Sequence, residues 1–489
     1  MIIDNKIWIG KGEKEVFLLP EMANRHGLIA GATGTGKTTT LKVLAEGFSE
    51  LGVPVFLADI KGDVASLAQK GEDSESVYKR VQDFNLQEFS FQSFSTEFWD
   101  VFAEYGLPVR TTISEMGPLL LSKLLGLNDV QTSVLTVIFK IADDHGLLLL
   151  DIKDLRAMLQ FIYENAKDYE SSYGKMSTAS ISAIMRSIVF LEEQGGELFF
   201  GEPALDINDW IQLDSDGKGI INILQGVKLF HNPTLYATFL LWMLSEVFEK
   251  LPEVGDVDKP KLVFFFDEAH LLFKDMPKPL VSKIEQVVKL IRSKGVGIYF
   301  ITQAPSDIPD EVLNQLSNKI QHALRAYTPA EQKIIKAAAQ SYRANESFNT
   351  EQVLTELGIG EALVSCLDEE GKPRVVERVS ILPPQSYMGL LDESIRNRII
   401  NNSLLYNKYI EAVDRESAYE ILTRKNEEQS RLVEEQQLKV EEVKVAEKAA
   451  KKAPAKKPTL FEKGMNSTIT SIGREVGRQI ARGILGGLK

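Results

Sequence analysis

The eight residues Gly31-Ala32-Thr33-Gly34-Thr35-Gly36-Lys37-Thr38 follow the spacing G-x-x-x-x-G-K-[ST]. Each residue type has a chemical use there. Glycines let the backbone curl until successive N–H groups point inward at a phosphate, and the start of a following helix adds positive dipole at the same place. The Lys37 ammonium suits β- and γ-phosphate oxygens, and the Thr38 hydroxyl suits Mg2+. The flanks agree with this reading. Leu28-Ile29-Ala30 reads as a short buried strand, and Leu41, Leu44, Ala45 and Phe48 recur at i, i+3, i+4, i+7 on a helix. The residues expected to touch nucleotide are therefore Gly31, Ala32, Thr33, Gly34, Thr35, Gly36, Lys37, Thr38 and Thr39. A turn that bound nothing would have no need of strand, loop and helix in register.

A second group lies far downstream. Leu262-Val263-Phe264-Phe265-Phe266 is a continuous apolar run, as in a parallel strand buried on both faces, and Asp267-Glu268 follows at its end. That end is where open α/β sheets bind ligands. Asp267 is expected in the Mg2+ shell, and Glu268 is placed to take a proton from an attacking water. Ile284, Val287, Val288 and Ile291 form a helical stripe, and Gly297-Ile298-Tyr299-Phe300-Ile301-Thr302 forms another apolar strand ending at Gln303. Strand, helix and strand in this stretch make one right-handed crossover, so the two strands should be near neighbours. Gln303 then shares an edge with Asp267 and is expected to sense the γ-phosphate or orient the water. Cleavage of a phosphate also calls for a cation, often an arginine from a neighbouring subunit. Arg325, near the end of a further strand, is the candidate, with Lys319 and Arg292 as alternatives. Asp59, closing the strand Val53–Ala58, reaches the same edge, where capping a loop is its plainer role.

The elements around these residues set the fold class: α/β, a P-loop NTPase core with a mainly parallel sheet, a large helical insertion and a helical C-terminal extension. Residues 1–26 read as a short N-terminal β segment. Residues 27–73 and 205–382 read as the ATPase core, interrupted at 74–204 by a mainly helical insertion. Pro383-Pro384 closes the expected compact part. Residues 390–447 are a charged helical extension, 448–463 a flexible basic linker, and 464–489 a basic amphipathic segment.

The 489 residues are 44% hydrophobic and 26% charged, which suffices for a buried core. The single cysteine, Cys366, excludes an internal disulfide framework, and the five histidines are scattered. With no signal-like N-terminus and no apolar run of the ~18 residues needed to cross a bilayer, a cytoplasmic protein is expected. The net charge is −13. From Lys448 onward there are ten Lys/Arg against two Glu, so a basic tail follows an acidic body. The charge argues against coating nucleic acid with the whole surface and leaves room for a narrow basic channel. No basic patch interleaved with aromatics stands out in residues 1–447, and residues 305–311, after Gln303, are acidic.

These residues together resemble the HerA–FtsK group of motor ATPases, and most closely the bacterial HerA-like ATPases with a helicase HerA-type C-terminal domain. The resemblance rests on the phosphate loop, on FWDVFAEYGLPVRTTISEMGPLLLSKLLGLND (98–129), GGELFFGEPAL (195–205), FFFDEAHLLF (264–273) and HALRAYTPAEQK (322–333). It implies a RecA-like P-loop NTPase core, a hexameric ring with ATP between subunits, and DNA through the centre. It assigns nucleotide and Mg2+ to Lys37 and Thr38, metal and water to Asp267 and Glu268, sensing to Gln303, and a finger acting in trans to Arg325. Archaeal HerA relatives carry a β-barrel ahead of the ATPase core, whereas 26 residues precede Gly27 here, so the roles of that barrel are not carried over.

The leading expectation is thus an ATP-driven DNA translocase or helicase. A second is an ATP-gated assembly protein that binds a protein partner or anionic membrane through its tail, where Ile469, Ile472, Val476, Ile480 and Ile484 form a stripe beside Arg474, Arg478 and Arg482. A P-loop kinase fits less well, because Glu268 beside Asp267 suits water activation and no cluster of arginines offers a lid.

Overall fold

The computed structural model describes residues 2–450 except 87–88, 256, 275–277 and 327. Its central strands have continuous apolar sequences because both of their faces are covered. Phe265 packs on Phe48 of the helix Lys37–Glu50 (α1) and on Tyr299, while Phe264 and Phe266 point the other way onto Phe56 and Phe300. All five residues of Leu262–Phe266 are fully buried. Each such side chain contributes about 1.5–3 kcal/mol of burial.

The strands are β1 (Ile2–Ile3), β2 (Lys6–Lys11), β3 (Glu15–Leu18), β4 (Gly27–Ala30), β5 (Val55–Asp59), β6 (Thr96–Asp100), β7 (Leu107–Pro108), β8 (Ile221–Gln225), β9 (Leu262–Phe266), β10 (Val296–Thr302), β11 (Asn318–His322), β12 (Glu361–Ser365) and β13 (Glu377–Ile381). Among the described residues they form one sheet in the order β1-β2-β13-β12-β11-β4-β10-β9-β5-β8-β6-β7, with β3 paired to β2. From β7 to β11 every pairing is parallel, and from β11 to β1 every pairing is antiparallel. β9 and β10 are direct neighbours in register, with Phe266 opposite Phe300. After β4 the chain crosses to β5, beyond β10 and β9, while β11 lies on β4's other side. The carboxyl end of β4 is therefore a topological switch point, where such sheets leave a crevice for a ligand.

Three features differ from the sequence reading. The strands of residues 1–26 are not a separate piece, because Gly10 and Lys11 of β2 pair with Ile381 and Ser380 of β13. Residues 74–204 are not all helix, because β6 and β7 extend the core sheet. The compact part does not close at Pro383-Pro384. One unit spans residues 1–422 and includes the helix Glu393–Asn402 and the fully buried Tyr409. The second unit is residues 423–489, described through residue 450 as helix. Most of the expected linker 448–463 and the whole amphipathic segment 464–489 lie outside the described residues, as does any role of that tail. No helix among the described residues is long and apolar enough to cross a membrane.

Candidate nucleotide site

The glycine-rich loop leaves β4 at Ala30 and enters α1 at Lys37. Gly34 and Gly36 take φ of 77° and 112°, a region that side chains rarely adopt, so the curl needs glycine there. The loop is anchored by its backbone. Gly31 N–H donates to the Thr302 carbonyl at 3.2 Å, Ala32 N–H to the Ala323 carbonyl at 2.9 Å, and the Thr35 carbonyl accepts from Gly360 N–H at 3.0 Å. Thr33 and Gly34 are exposed at the crest, while Thr35 and Lys37 are buried. At the start of α1 the first N–H groups, including those of Lys37, Thr38 and Thr39, have no partner inside the helix, which leaves donors and dipole at the crevice. The Lys37 ammonium folds back onto the Gly31 and Ala32 carbonyls at 2.7 and 3.0 Å.

His322, at the end of β11, clamps this loop. Its Nδ1 lies 2.9 Å from the Glu361 carbonyl, which can only accept, so Nδ1 carries the proton and Nε2 accepts from the Thr40 hydroxyl at 2.8 Å. Burial holds the imidazole neutral, with its pKa lowered to about 4.

Asp267 and Glu268 follow β9 directly, and both are buried. Glu268 adopts φ 49° and ψ 45°, a left-handed conformation that costs a non-glycine residue about 1–3 kcal/mol and recurs where geometry serves function. Burial raises the Asp267 pKa to about 6, against the pull of Lys61. Lys37 is lowered first by burial, then by the charge of Lys61, and is opposed by Glu268 and Asp267. Two ammonium groups and two carboxylates thus act on one another across one crevice. Lys61 pairs with Glu268 Oε1 and stands 4.0 Å from Asp267 Oδ2. The buried phenol of Tyr236 is pushed well up by burial and then by Asp267 and Glu268.

Thr38 Oγ1 donates to Asp63 Oδ2 at 3.0 Å, and Asp63 Oδ1 is buried without a hydrogen-bond partner. The charge of Asp63 contributes to the raised pKa of Asp267, which places the two carboxylates near one another. Thr38, Asp267 and the unsatisfied Asp63 are hard oxygen donors at one place and fit Mg2+, which keeps water and phosphate oxygens for most of its shell. Among the described residues no group of three or more His, Cys, Asp or Glu could hold a metal ion alone. Asp59 caps its loop, accepting from Gly62 N–H at 2.7 Å and Ala65 N–H at 3.1 Å, and burial raises its pKa to about 7.

Gln303 is exposed just past β10, between the ends of β4 and β9. Arg325 lies three residues beyond the end of β11, exposed, donating to the Thr355 carbonyl at 2.5 Å and the Leu357 carbonyl at 3.4 Å. Of the alternatives, Lys319 lies within β11 with its ammonium 5.9 Å from the Tyr342 ring centroid, and Arg292 lies at the amino end of β10, the sheet edge opposite Asp267.

The family model for the helicase HerA-like C-terminal domain matches residues 4–489. The chain belongs to this HerA-like family. Among curated relatives it is 32% identical over 136 residues to a probable helicase of Methanocaldococcus jannaschii, covering 27% of this chain and 25% of that protein. It is 19% identical over 343 residues to the DNA double-strand break repair helicase HerA of Saccharolobus solfataricus, covering 70% of this chain and 61% of that protein. The chain therefore spans a quarter of the first relative and about three fifths of the second. Among solved structures, the bacterial conjugative coupling protein TrwB in complex with sulphate superposes with a TM-score of 0.52 at 13% identity, over 80% of this chain and 92% of that one. That likeness shows the fold alone, a RecA-like P-loop core built on a mainly parallel sheet.

Within this HerA-like site, sequence reasoning missed Lys61, Asp63, Tyr236 and His322. Lys61 and Asp63 belong to Ile60-Lys61-Gly62-Asp63, directly after a strand that ends at the ligand-binding edge, and that position was the available signal. His322 is one of the scattered histidines, and only the pairing of β11 with β4 brings it to the loop.

Proposed function

We propose that the chain is an ATP-hydrolysing motor subunit of the HerA/FtsK type that assembles as a hexameric ring in the cytoplasm and moves DNA. The observation that carries the reading is the convergence of Lys37, after β4, and Asp267-Glu268, after β9, at the carboxyl edge of one parallel sheet, with β10 alone between the two strands and the Glu268 charge acting on the Lys37 ammonium. Gly31 to Thr39 wrap the phosphates with backbone N–H groups, and Lys37 leaves the Gly31 and Ala32 carbonyls for phosphate oxygens. Thr38 and Asp267 would hold Mg2+, with Asp63 behind Thr38, and the ion would draw charge from the phosphates. Glu268, held in a fixed backbone conformation, takes the proton of the attacking water. Gln303 orients that water, and Arg325 reaches the site of a neighbouring subunit. The HerA and TrwB relatives, named for work on DNA and in conjugation, support DNA as the substrate.

The test is steady-state ATP hydrolysis with and without DNA. The expected result is hydrolysis that rises on adding DNA and falls about 10²–10⁴-fold in Glu268→Gln, as for loss of a general base. Hydrolysis unchanged in Glu268→Gln would refute the site; hydrolysis indifferent to DNA of every length and strandedness would refute the substrate.

A further inference from the structure

Lys61 sits on the loop after β5, the strand that pairs with β9, so β-sheet pairing brings it beside Asp267 and Glu268. Its side chain is 46% exposed, whereas those of Asp267 and Glu268 are 10% and 8% exposed. The lysine therefore has room to move, and the carboxylates do not. One oxygen of Glu268 is taken by Lys61; the other receives no hydrogen bond, although His270 Nδ1 stands 3.2 Å from it. An ammonium seated on that oxygen occupies the place an attacking water would need. In this arrangement the water-activating residue is held by the wrong partner for its task.

Lys37 faces the same space and is repelled by Lys61. Two ammonium groups aimed at one crevice, with Asp267, Glu268 and, for Lys61, Asp63 as counter-charges, are free to turn to a ligand that brings dense negative charge of its own. The terminal phosphate of a nucleoside triphosphate brings it; a diphosphate, ending one phosphate short, brings less charge to the Glu268 side.

We propose that Lys61 is a further catalytic residue that trades partners with the γ-phosphate: it holds Glu268 while that phosphate is absent, then turns onto the γ-phosphate oxygens and frees Glu268. The idea rests on the hydrolytic reading of the site. In the hydrolysis that follows, a bond forms between water oxygen and the γ-phosphorus, and one water proton passes to Glu268. The bond from phosphorus to the β–γ bridging oxygen breaks, its electron pair staying with the diphosphate. Lys61 transfers nothing; it offsets charge on the γ-phosphate and unmasks the base only when there is a phosphate to cut.

The experiment uses the full chain with Lys61→Ala, Lys61→Met and Lys61→Arg, measuring affinity for ADP and for a non-hydrolysable ATP analogue, both with Mg2+, together with kcat for ATP. Removing the ammonium should weaken the analogue about tenfold or more while changing ADP less than about twofold, as expected for one lost charge-assisted bond. kcat should fall about 10²-fold or more, the usual cost of one missing donor to a developing charge. Lys61→Arg should restore most of the preference for the analogue, and Lys61→Met, which keeps the stem, guards against a folding defect. If ADP and the analogue weaken equally, or if kcat survives in Lys61→Ala and Lys61→Met, Lys61 is only a structural partner of Glu268 and the proposal falls. If the wild-type chain itself neither binds nor hydrolyses ATP, the hydrolytic reading falls and takes this one with it; an active wild type separates the two failures.

Discussion

Thr38 donates to Asp63 Oδ2 at 3.0 Å, and Asp63 Oδ1 lies buried without a donor. A buried carboxylate oxygen left unpaired is costly unless something positive comes to it. With Mg2+ on Thr38, Asp63 would orient that hydroxyl so that its lone pairs face the ion. Residues that orient ligands in this way typically change metal affinity about 10–100-fold when mutated. Asp63→Asn should therefore raise the Mg2+ concentration for half-maximal hydrolysis by about that factor, read from a Mg2+ titration at saturating ATP; an unshifted titration removes Asp63 from the metal site. At this scale legibility followed contiguity. The loop residues and Asp267-Glu268 stand next to one another in sequence, and their types alone state a chemistry. Asp63 and Lys61 matter through partners on other strands, and a Lys-Gly-Asp turn has many uses. Thr38 to Asp63 spans 25 positions. Only a rule about where the turn sits, at the carboxyl edge beside β9, separates this one from an ordinary loop.

Strands and helices were readable where both faces of an element are buried or one stripe is. The crossover from β9 through Ile284, Val287, Val288 and Ile291 to β10 is of this kind, and all four stripe residues are buried. The outer strands were not. β2 pairs with β13 across most of the chain, Lys11 opposite Ser380, and no local periodicity encodes such a pairing. Another long-range pairing, of β11 with β4, places His322 under the phosphate loop, which makes the loop's stability sensitive to acid. The folded-state pKa of His322 is depressed to about 4 from 6.5. Between those values the unfolded chain takes up a proton that the folded chain refuses, so this contribution is present above pH 6.5 and is lost as pH falls toward 4. Asn at this position can still donate to the Glu361 carbonyl but does not titrate. His322→Asn should be less stable than wild type at pH 7.5, and that deficit should shrink by up to about 2 kcal/mol at pH 5. Urea unfolding of both proteins at the two pH values measures it; a deficit independent of pH would mean that the imidazole is not held neutral.

On the scale of the whole molecule, the position of Arg325 bears on whether one chain suffices for hydrolysis. Its guanidinium is fastened to the Thr355 and Leu357 carbonyls and exposed, two residues past Ala323, whose carbonyl holds Ala32 of the phosphate loop. From there it can serve the site of its own chain or that of a neighbour in a ring, and the two arrangements separate cleanly on mixing. With Lys37 on phosphate and Arg325 as the finger, as proposed, Lys37→Ala and Arg325→Ala should each hydrolyse ATP poorly alone. In a head-to-tail ring every interface joins one subunit's loop to the next subunit's flank. If Arg325 acts in trans, an Arg325→Ala subunit beside a Lys37→Ala subunit has an intact loop and receives an intact arginine. Random assembly of equal amounts makes roughly a quarter of the interfaces competent, and activity should return to about that fraction of wild type. If Arg325 acts within its own chain, no mixed interface contains both groups on one subunit and no activity returns. Recovery on mixing would also show that the hydrolysing unit is the pair of chains, with this chain's β4 loop on one side and its β11 flank on the other.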